Sequence, residues 1–230
     1  MKIPLSNRLL ACANFIQPGD RVADIGCDHG YLGIYLLKEN IASFVIASDI
    51  NEGPLQSAMR NAVKFGYQDQ MAFYLSDGTR NIPRDFDVLV CAGMGADTMM
   101  CILDAAPWLK DAQYRLILQC QSKRPELRRY LYENGYSILR ETLAQDGKFI
   151  YPVMEVIYKP THALPPAQYH VTPMLLECGS DLLPAFLDRI IGGMEATVKG
   201  LERSGGDKYK EYDAILDELK EMRSKYGNCK

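Results

Sequence analysis

Residues 22–32 constrain the fold more than any other stretch of the chain, because they combine a short apolar strand, a glycine turn and the start of a helix. The strand at 22–25 suits packing on both faces, and 31–37 is apolar at helical spacing. Gly26 and Gly30 allow the backbone to approach a ligand closely. This arrangement is typical of the first loop of a doubly wound α/β sheet, where cofactors bind.

The loop does not fit the dinucleotide fingerprint G-x-G-x-x-G, because with Gly26 first the other glycines would fall at Asp28 and Tyr31. The Asp28 carboxylate would repel a pyrophosphate at the helix N-terminus, but it would attract a cofactor that has no phosphate and carries a sulfonium cation. S-adenosylmethionine is such a cofactor. The pattern D-x-G-x-x-x-G, in which Asp24 closes the strand, resembles motif I of class I methyltransferases without its usual middle glycine. An ordinary strand-to-helix turn is the alternative.

Two further apolar strands also end on an acid. The run 44–48 is followed by Asp49, and the run 71–75 is followed by a serine, Asp77 and Gly78. An acid at the end of the second strand is placed to accept hydrogen bonds from ribose hydroxyls. Asp77 would accept a hydrogen bond from the adenine amino group, while Gly78 would let the ring approach. Three acids at corresponding strand ends therefore predict one nucleoside site.

The remaining strands predict a mostly parallel sheet with one antiparallel edge. Residues 86–92 and 114–119 are apolar runs of strand length, and the first opens into Gly93-Met94-Gly95. These glycines leave bare backbone beside a cofactor or target base, although a tight turn would need the same residues. Two extended runs, 136–143 and 149–158, flank a D-G hairpin turn. We expect an α/β, doubly wound, seven-stranded sheet like that of class I methyltransferases.

Length and composition indicate a globular protein with one α/β domain and an appendage. The chain has 230 residues, of which 47% are hydrophobic and 24% charged, and these fractions exclude extended disorder. It has no run of about 18 apolar residues and no signal-peptide pattern, so we expect a cytoplasmic protein without a membrane partner. Seven cysteines without a C-x-x-C pair predict reduced thiols and no metal site.

The composition changes after residue 159, where we place a domain boundary. Residues 1–159 would form the cofactor-binding domain. Residues 160–173 contain four prolines without strand alternation and are interpreted as a linker. Apolar residues then recur at steps of three or four on both sides of a turn at 204–206. The segment 160–230 is therefore predicted to be a linker and a helical hairpin, and we expect a monomer.

The formal net charge of −3 gives no global nucleic-acid signal, so an RNA partner would have to be held by a local patch. A helix predicted at 124–134 supplies several cations, and one more precedes the first strand. Cations on a helix are as often merely solvated. The candidate RNA-binding residues are Arg8, Lys123, Arg124, Arg128 and Arg129.

Several motifs together resemble the bacterial tRNA (adenine-22-N1)-methyltransferases, a class I family that uses S-adenosylmethionine. The similarity spans residues 5–159, and D-H after the first glycine and A-G-M-G are its most specific parts. The family also carries a C-terminal coiled-coil appendage, and it often has alanine where this chain has Gly30. The motifs are L-S-x-R-L at 5–9, A-D-I-G-C-D-H-G-Y-L at 23–32, S-D-I-N-E-G-P-L at 48–55, S-D-G at 76–78, A-G-M-G at 92–95, L-R-R-Y-L-Y-E-N-G-Y at 127–136 and D-G-K-F at 146–149.

The resemblance implies methyl transfer from S-adenosylmethionine to N1 of adenine 22 in tRNA. It places Asp28 and His29 at the methyl group and the target base, as the candidate catalytic residues. Further motif positions would line the cofactor along its length. They would contact in turn its methionine side, its ribose, its adenine and the region of its sulfonium. These cofactor-binding residues are Asp24, Gly26, Gly30, Asp49, Ile50, Asp77, Gly78, Gly93 and Met94.

Ring N1 of adenine already carries a lone pair, so transfer to it needs placement rather than prior proton removal. Methylation of the exocyclic amine would call for N/D-P-P-Y after the fourth strand, where this chain has Gly93-Met94-Gly95. Asp28 would stabilise the cationic product, whereas His29 is also explained as a polar packing residue. Two other functions stay open: a methyltransferase for a small amine or phenol, and a non-catalytic scaffold with this fold.

Overall fold

The computed structural model describes residues 2–204 and 207–226, and it places helices on both faces of one seven-stranded sheet. The predicted turn at 204–206 lies partly outside these residues. The strands are β1 (Asp20–Ile25), β2 (Ala42–Asp49), β3 (Met71–Leu75), β4 (Val88–Met94), β5 (Arg115–Cys120), β6 (Tyr136–Asp146) and β7 (Phe149–Tyr158). The helices are α1 (Asn7–Ala13), α2 (Tyr31–Lys38), α3 (Glu52–Phe65), α4 (Ala96–Asp104), α5 (Arg124–Glu133), α6 (Pro173–Leu176), α7 (Leu183–Arg203) and α8 (Tyr209–Tyr226).

The sheet has the order β3-β2-β1-β4-β5-β7-β6, and β1 to β5 are parallel. β7 is antiparallel to both β5 and β6, so the predicted sheet with an antiparallel edge hairpin is confirmed. The central strands β1 and β4 are buried on both faces over residues 22–25 and 88–91, which explains why their apolar residues occupy successive rather than alternating positions. Helices α1, α2 and α3 cover one face, while α4 and α5 cover the other.

The strand order reverses between β1 and β4, because the chain first builds outward through β2 and β3 and then returns. In open α/β sheets, ligands bind at such a switch point, beside the carboxyl ends of the strands. The fold therefore predicts a ligand-binding site at the loops after β1 and β4.

The hairpin β6–β7 extends past this same edge. β7 pairs with β5 from Ile157 to Met154, and Met154 lies opposite Leu118 near the carboxyl end of β5. Residues 149–153 continue beyond that pairing and remain paired with β6 as far as the Asp146–Phe149 pair. The tip of the hairpin therefore projects beside the loops that follow β1 and β4.

The segment interpreted as a linker is packed rather than free. Ala167, Tyr169, Val171 and Thr172 are buried, and a short 3-10 helix covers Pro166–Tyr169. Beyond it, α7 and α8 form the predicted helical hairpin, whose apolar residues pack together with this segment and with one side of the β6–β7 hairpin. The C-terminal part therefore shares a hydrophobic core with the sheet.

A buried ion pair joins the same segment to the core. Arg128 is 0% exposed, and its Nη2 donates to Glu141 Oε1 over 2.6 Å. Arg128 Nη1 donates to the carbonyls of Tyr169 and His170 at 3.1 and 2.8 Å, and the Thr172 hydroxyl donates to the other Glu141 oxygen. The prediction that Arg128 contacts RNA is therefore wrong, because its guanidinium is enclosed and both of its terminal nitrogens donate within the chain.

Within residues 2–204 and 207–226, no helix is both long enough and apolar enough to cross a membrane.

Candidate active site

Two adjoining clefts open at the carboxyl edge of the sheet, on either side of the loop after β1. The first cleft has about 600 Å³ of empty space and is lined by Asp49, Ile50, Asp77, Gly78, Met94 and Ile102, among others. The second cleft has about 640 Å³ and is lined by Arg8, Asp24, Asp28, His29, Tyr31 and Gly93, among others. Gly26 lines both. The structure thus brings together residues from five of the motifs.

The loop after β1 is held by the end of β2. The backbone N–H groups of Gly26 and Cys27 donate to the carbonyl of Ser48 at 2.8 and 2.9 Å. The next N–H, that of Asp28, donates to Asp49 Oδ2 at 3.2 Å. Three successive N–H groups that would face a pyrophosphate in a dinucleotide-binding loop are therefore already paired, which agrees with the predicted absence of that fingerprint.

Asp24 is the most deeply placed acid of the site. It is 5% exposed at the end of β1, and its pKa is raised to about 7, first by burial and then by the nearby Asp49 carboxylate. Among the described residues, no cationic side chain forms an ion pair with it. A cation entering the second cleft would therefore favour the charged form of Asp24.

Asp49 is buried at the end of β2 and lines the first cleft. Its Oδ1 accepts a hydrogen bond from the Asn51 N–H at 2.9 Å, and its Oδ2 accepts the one from Asp28. Each oxygen keeps a further lone pair, since a carboxylate has about four acceptor positions. Ile50, directly after it, exposes its side chain at the cleft wall.

Asp77 and Gly78 form the far wall of the first cleft. The exposed Asp77 carboxylate pairs with Arg80 at 3.1 Å. Ser76 shapes the loop, because its hydroxyl donates to the Gly78 carbonyl at 2.9 Å and accepts from the Asn81 N–H at 3.0 Å. Gly78 has a φ of +60°, and a Cβ there would lie 3.0 Å from Ile102 Cγ1, so glycine keeps this slot open.

The last two residues of β4, Gly93 and Met94, lie between the two clefts. A Cβ on Gly26 would lie only 2.4 Å from Met94 Cε, so the Met94 side chain packs directly on bare backbone of the first loop. Gly93 has a φ of +82°, and its N–H donates to Gln119 Oε1 at 3.0 Å. Gly30, in contrast, lines neither cleft: it begins α2, and a Cβ there would lie 2.9 Å from Ala58 Cβ. Gly30 therefore has a packing role between α2 and α3, and its cofactor contact stays a prediction.

Gln119, at the end of β5, was missed by the sequence analysis. It is fully buried, and its Oε1 accepts from both Gly93 and Arg8 Nη1, the latter at 3.1 Å. Arg8 therefore lines the second cleft, and its Nε also lies 3.6 Å from Asp146 Oδ2. The signal was present, since a polar residue ends a buried strand here as it does in β1 and β2.

Asp28 and His29 are the most accessible ionisable side chains of the second cleft. The Asp28 side chain is 69% exposed, and its Oδ1 lies 3.7 Å from His29 Nε2. Asp28 has a φ of +49°, a conformation that Asp and Asn tolerate better than other residues with side chains. The His29 ring lies 5.7 Å from that of Tyr31. The backbone fixes both residues while their side chains remain available to a substrate.

The predicted cations of α5 do not converge on either cleft. Lys123 pairs with Asp97 at 2.7 Å, and the Arg129 guanidinium lies 5.4 Å from the Tyr169 ring centroid. Arg124 lies 5.5 Å from the Phe186 ring centroid, and its pKa is lowered, mainly by burial. Arg128 is buried, but contact with RNA stays a prediction for Lys123, Arg124 and Arg129.

Comparisons of sequence and of structure both find methyltransferases similar to this chain. The methyltransferase domain family matches residues 5–154. The tRNA (adenine(22)-N(1))-methyltransferase of Bacillus subtilis is 36% identical over 149 residues, which cover 64% of this chain and 63% of that protein.

Two solved structures match over nearly the whole chain. The M1A22 tRNA methyltransferase TrmK of B. subtilis has a TM-score of 0.83 at 26% identity, covering 96% of this chain and 100% of that one. The TrmK of M. capricolum, in complex with S-adenosyl-homocysteine, has a TM-score of 0.77 at 25% identity and covers 96% and 99%. The chain therefore belongs to the methyltransferase domain family, and its resemblance to the tRNA (adenine-22-N1)-methyltransferases is confirmed.

Proposed function

We propose that this protein transfers a methyl group from S-adenosylmethionine to N1 of adenine 22 in bacterial tRNA. The observation that carries the proposal is the pair of clefts that share Gly26. Asp49 lines one cleft, and the other is lined by a buried Asp24 that has no cationic partner among the described residues. The relatives named above act on this tRNA position.

The residues of the first cleft fit the nucleoside half of the cofactor. Asp49 offers acceptor positions for two ribose hydroxyls, and Asp77 offers one for an amino group. Ile50 and Ile102 provide apolar surface for a flat ring, and the open slot at Gly78 lets the ring approach the backbone. No phosphate is needed in this cleft.

The charges of the second cleft fit an amino-acid end and a cationic centre. Asp24 is placed to accept from an ammonium group or to face a sulfonium, and Arg8 is the nearest cation for a carboxylate. S-adenosylmethionine, when bound, supplies the methyl group on a positively charged sulfur. Met94 and Gly93 would lie at the boundary where that sulfur faces the acceptor.

Asp28 is the residue that would stabilise the transition state of methyl transfer directly. Holding N1 of adenine about 3 to 3.5 Å from the methyl carbon and in line with it lowers the barrier by about 7–11 kcal/mol. Methylated adenine is a cation, so the Asp28 carboxylate would stabilise charge that develops in the transition state. The target base must leave its stack to reach the cleft, and the exposure of Asp28 and His29 leaves room for an extruded base.

A tRNA substrate also places the protein in the cytoplasm, where bacterial tRNA is modified. The apolar stripes of α7 and α8 are buried within the chain, which supports action as a monomer.

The function is tested by incubating the protein with labelled S-adenosylmethionine and a tRNA transcript, then mapping the modified base. We expect label as 1-methyladenine at position 22. The matched control is the same transcript with guanine at position 22, which should take up no label. Label at another position would refute the substrate assignment, and cofactor binding with no transfer to any tRNA would favour a small-molecule methyltransferase or a scaffold.

A further inference from the structure

We propose that Lys148, Phe149 and Arg189 form a tRNA-binding surface beside the second cleft, on which an unstacked base near the target adenine packs against the Phe149 ring. We call these three residues the hairpin-tip surface. The proposal rests on the proposed tRNA function and adds to it the place where the RNA is held. It also gives a role to the D-G-K-F motif at 146–149, which the two clefts leave without one.

The hairpin-tip surface directly follows two residues of β6 that contact the second cleft and its neighbour Asn7. Arg8 lines that cleft and reaches Asp146 at the start of the turn, with 3.6 Å between Nε and Oδ2. Beside it, Asn7 Nδ2 donates to the Gln145 carbonyl at 2.9 Å. Because β6 and β7 project past the end of β5, the turn lies beside the opening through which a tRNA base would enter.

The aromatic ring of Phe149 is exposed to solvent. Its side chain is 48% exposed although it begins a strand. Lys148 Nζ lies 5.3 Å from the ring centroid and Arg189 Cζ 5.9 Å, while the Tyr151 ring lies 6.0 Å away. A D-G hairpin turn forms without an aromatic neighbour, so folding does not account for this residue. Exposed rings flanked by cations are the usual platform for stacking single-stranded bases.

The charge of the hairpin-tip surface is available to phosphates. Lys148 and Arg189 are exposed, and among the described residues neither forms an ion pair with a carboxylate. The two nearest acids in sequence are already paired, Asp146 with Arg8 and Asp188 with Arg223. The surface therefore carries net positive charge, in a protein whose overall charge is −3.

The surface also spans both parts of the chain. Arg189 of α7 donates from Nη2 to the Lys148 carbonyl at 2.8 Å, so the C-terminal helical hairpin also holds the turn. A nucleotide on Phe149 would thus contact side chains whose positions are set by the sheet and by α7 together. The α5 cations lack this geometry, because Arg128 is buried and Lys123 is paired.

The stacking platform is tested with Phe149→Ala, Phe149→Trp and the control Leu139→Ala, which removes another exposed apolar side chain from the same β-hairpin. Binding of a tRNA transcript would be measured at fixed salt in the presence of S-adenosyl-homocysteine. We expect about 10-fold weaker binding for Phe149→Ala, equivalent to about 1.4 kcal/mol, with near wild-type binding for Phe149→Trp and Leu139→Ala. Cofactor affinity should be unchanged in all three.

The charges are tested with Lys148→Ala and the control Lys64→Ala, an exposed lysine of α3 that packs on the β2–β3 side of the sheet. We expect a smaller slope of log affinity against log salt for Lys148→Ala only, because one phosphate contact is lost. Wild-type tRNA binding by Phe149→Ala and Lys148→Ala, in a preparation whose wild type methylates adenine 22, would overturn this surface alone. A wild type that neither binds nor methylates tRNA would overturn the proposed function and this surface with it.

Discussion

Two buried carboxylic acids of this protein have opposite surroundings. Glu141 is 4% exposed, and it is paired with Arg128 and accepts from the Thr172 hydroxyl. Asp24 is equally buried at 5% exposed, but its pKa is raised to about 7, first by burial and then by the charge of another acid, Asp49. Burying a charge costs several kcal/mol per ion unless a partner compensates it.

The difference separates an acid that stabilises the fold from one whose charge we propose a cationic ligand compensates. Glu141 receives its partners from α5 and from the segment before α6, so the chain neutralises it by folding. Asp24 receives no such partner from the described residues, and it lines the second cleft. Perturbed acids in a cleft mark functional sites with some regularity. The two acids should therefore respond to substitution in different measurements.

The largest effect is expected for Glu141→Gln, which leaves the Arg128 charge buried without its counter-charge. We expect a loss of about 3–5 kcal/mol in the free energy of unfolding, measured by urea denaturation. Methyl transfer per folded molecule should be unchanged. The control is Glu133→Gln, which makes the same exchange at an exposed position of α5. An equal loss in both variants would remove the distinction between Glu141 and an ordinary surface acid.

Asp28→Asn should have the next largest effect, in the chemical step alone. Asparagine tolerates the positive φ of this position, so the fold and both ligands' binding should persist. Single-turnover methylation with cofactor and tRNA saturating should slow about 10²- to 10³-fold, the loss typical of removing one preorganised group at a developing charge. A rate within a few-fold of wild type would leave placement by the glycine loops as the main source of catalysis.

A smaller effect is expected when Asp49 loses its charge but keeps its shape. Asp49→Asn should weaken S-adenosylmethionine binding by about 1.5–3 kcal/mol, because hydrogen bonds to a charged acceptor are lost. Titration calorimetry measures it. The matched control is Asp77→Asn, an exposed acid of the same cleft that is paired with Arg80, for which we expect a smaller loss. An unchanged dissociation constant for Asp49→Asn in a folded variant would remove Asp49 from the site.

The smallest effect is a pH dependence that belongs to Asp24. Below its pKa of about 7 the free carboxyl is protonated, and a cationic ligand binds the ionised form, so binding must release a proton. Affinity for S-adenosylmethionine should therefore fall as the pH drops below about 7, by at most 10-fold per pH unit, and level off above it. Calorimetry in buffers of different ionisation enthalpy counts the protons. Asp24→Asn should bind more weakly and show a flat profile, and a flat profile in the wild type would contradict the assignment.

The sheet and most of the site could be predicted from sequence, because their signals are local. Each central strand is a short apolar run followed by a polar residue, and parallel strands bring those ends to one edge. Gln119 obeys the same rule and was overlooked because it follows an apolar run without a glycine turn. The polar residues at strand ends thus predict the position of the site, and Gln119 at the end of β5 is one of them.

Arg128 and the packed segment could not be predicted in this way. In sequence, Arg128 lies among exposed cations of an amphipathic helix. Its partners, Glu141 and the carbonyls of Tyr169 and His170, are 13 to 42 positions away, and no periodicity links them. Arg128 is buried by long-range packing against the segment 160–173. The proline content of that segment does not predict such packing, because it is equally typical of a free linker.

The hydrogen bonds from the first loop to the end of β2 make the two halves of the site thermodynamically dependent on each other. One carboxylate, that of Asp49, lines the cleft proposed to bind the nucleoside and also accepts a hydrogen bond from the backbone of Asp28. A nucleoside that orders Asp49 therefore also narrows the positions open to Asp28, and so lowers the entropy cost of seating the acceptor base. By reciprocity, a seated tRNA should tighten the hold on the cofactor by the same factor. The protein would then favour the complete ternary complex over either binary one.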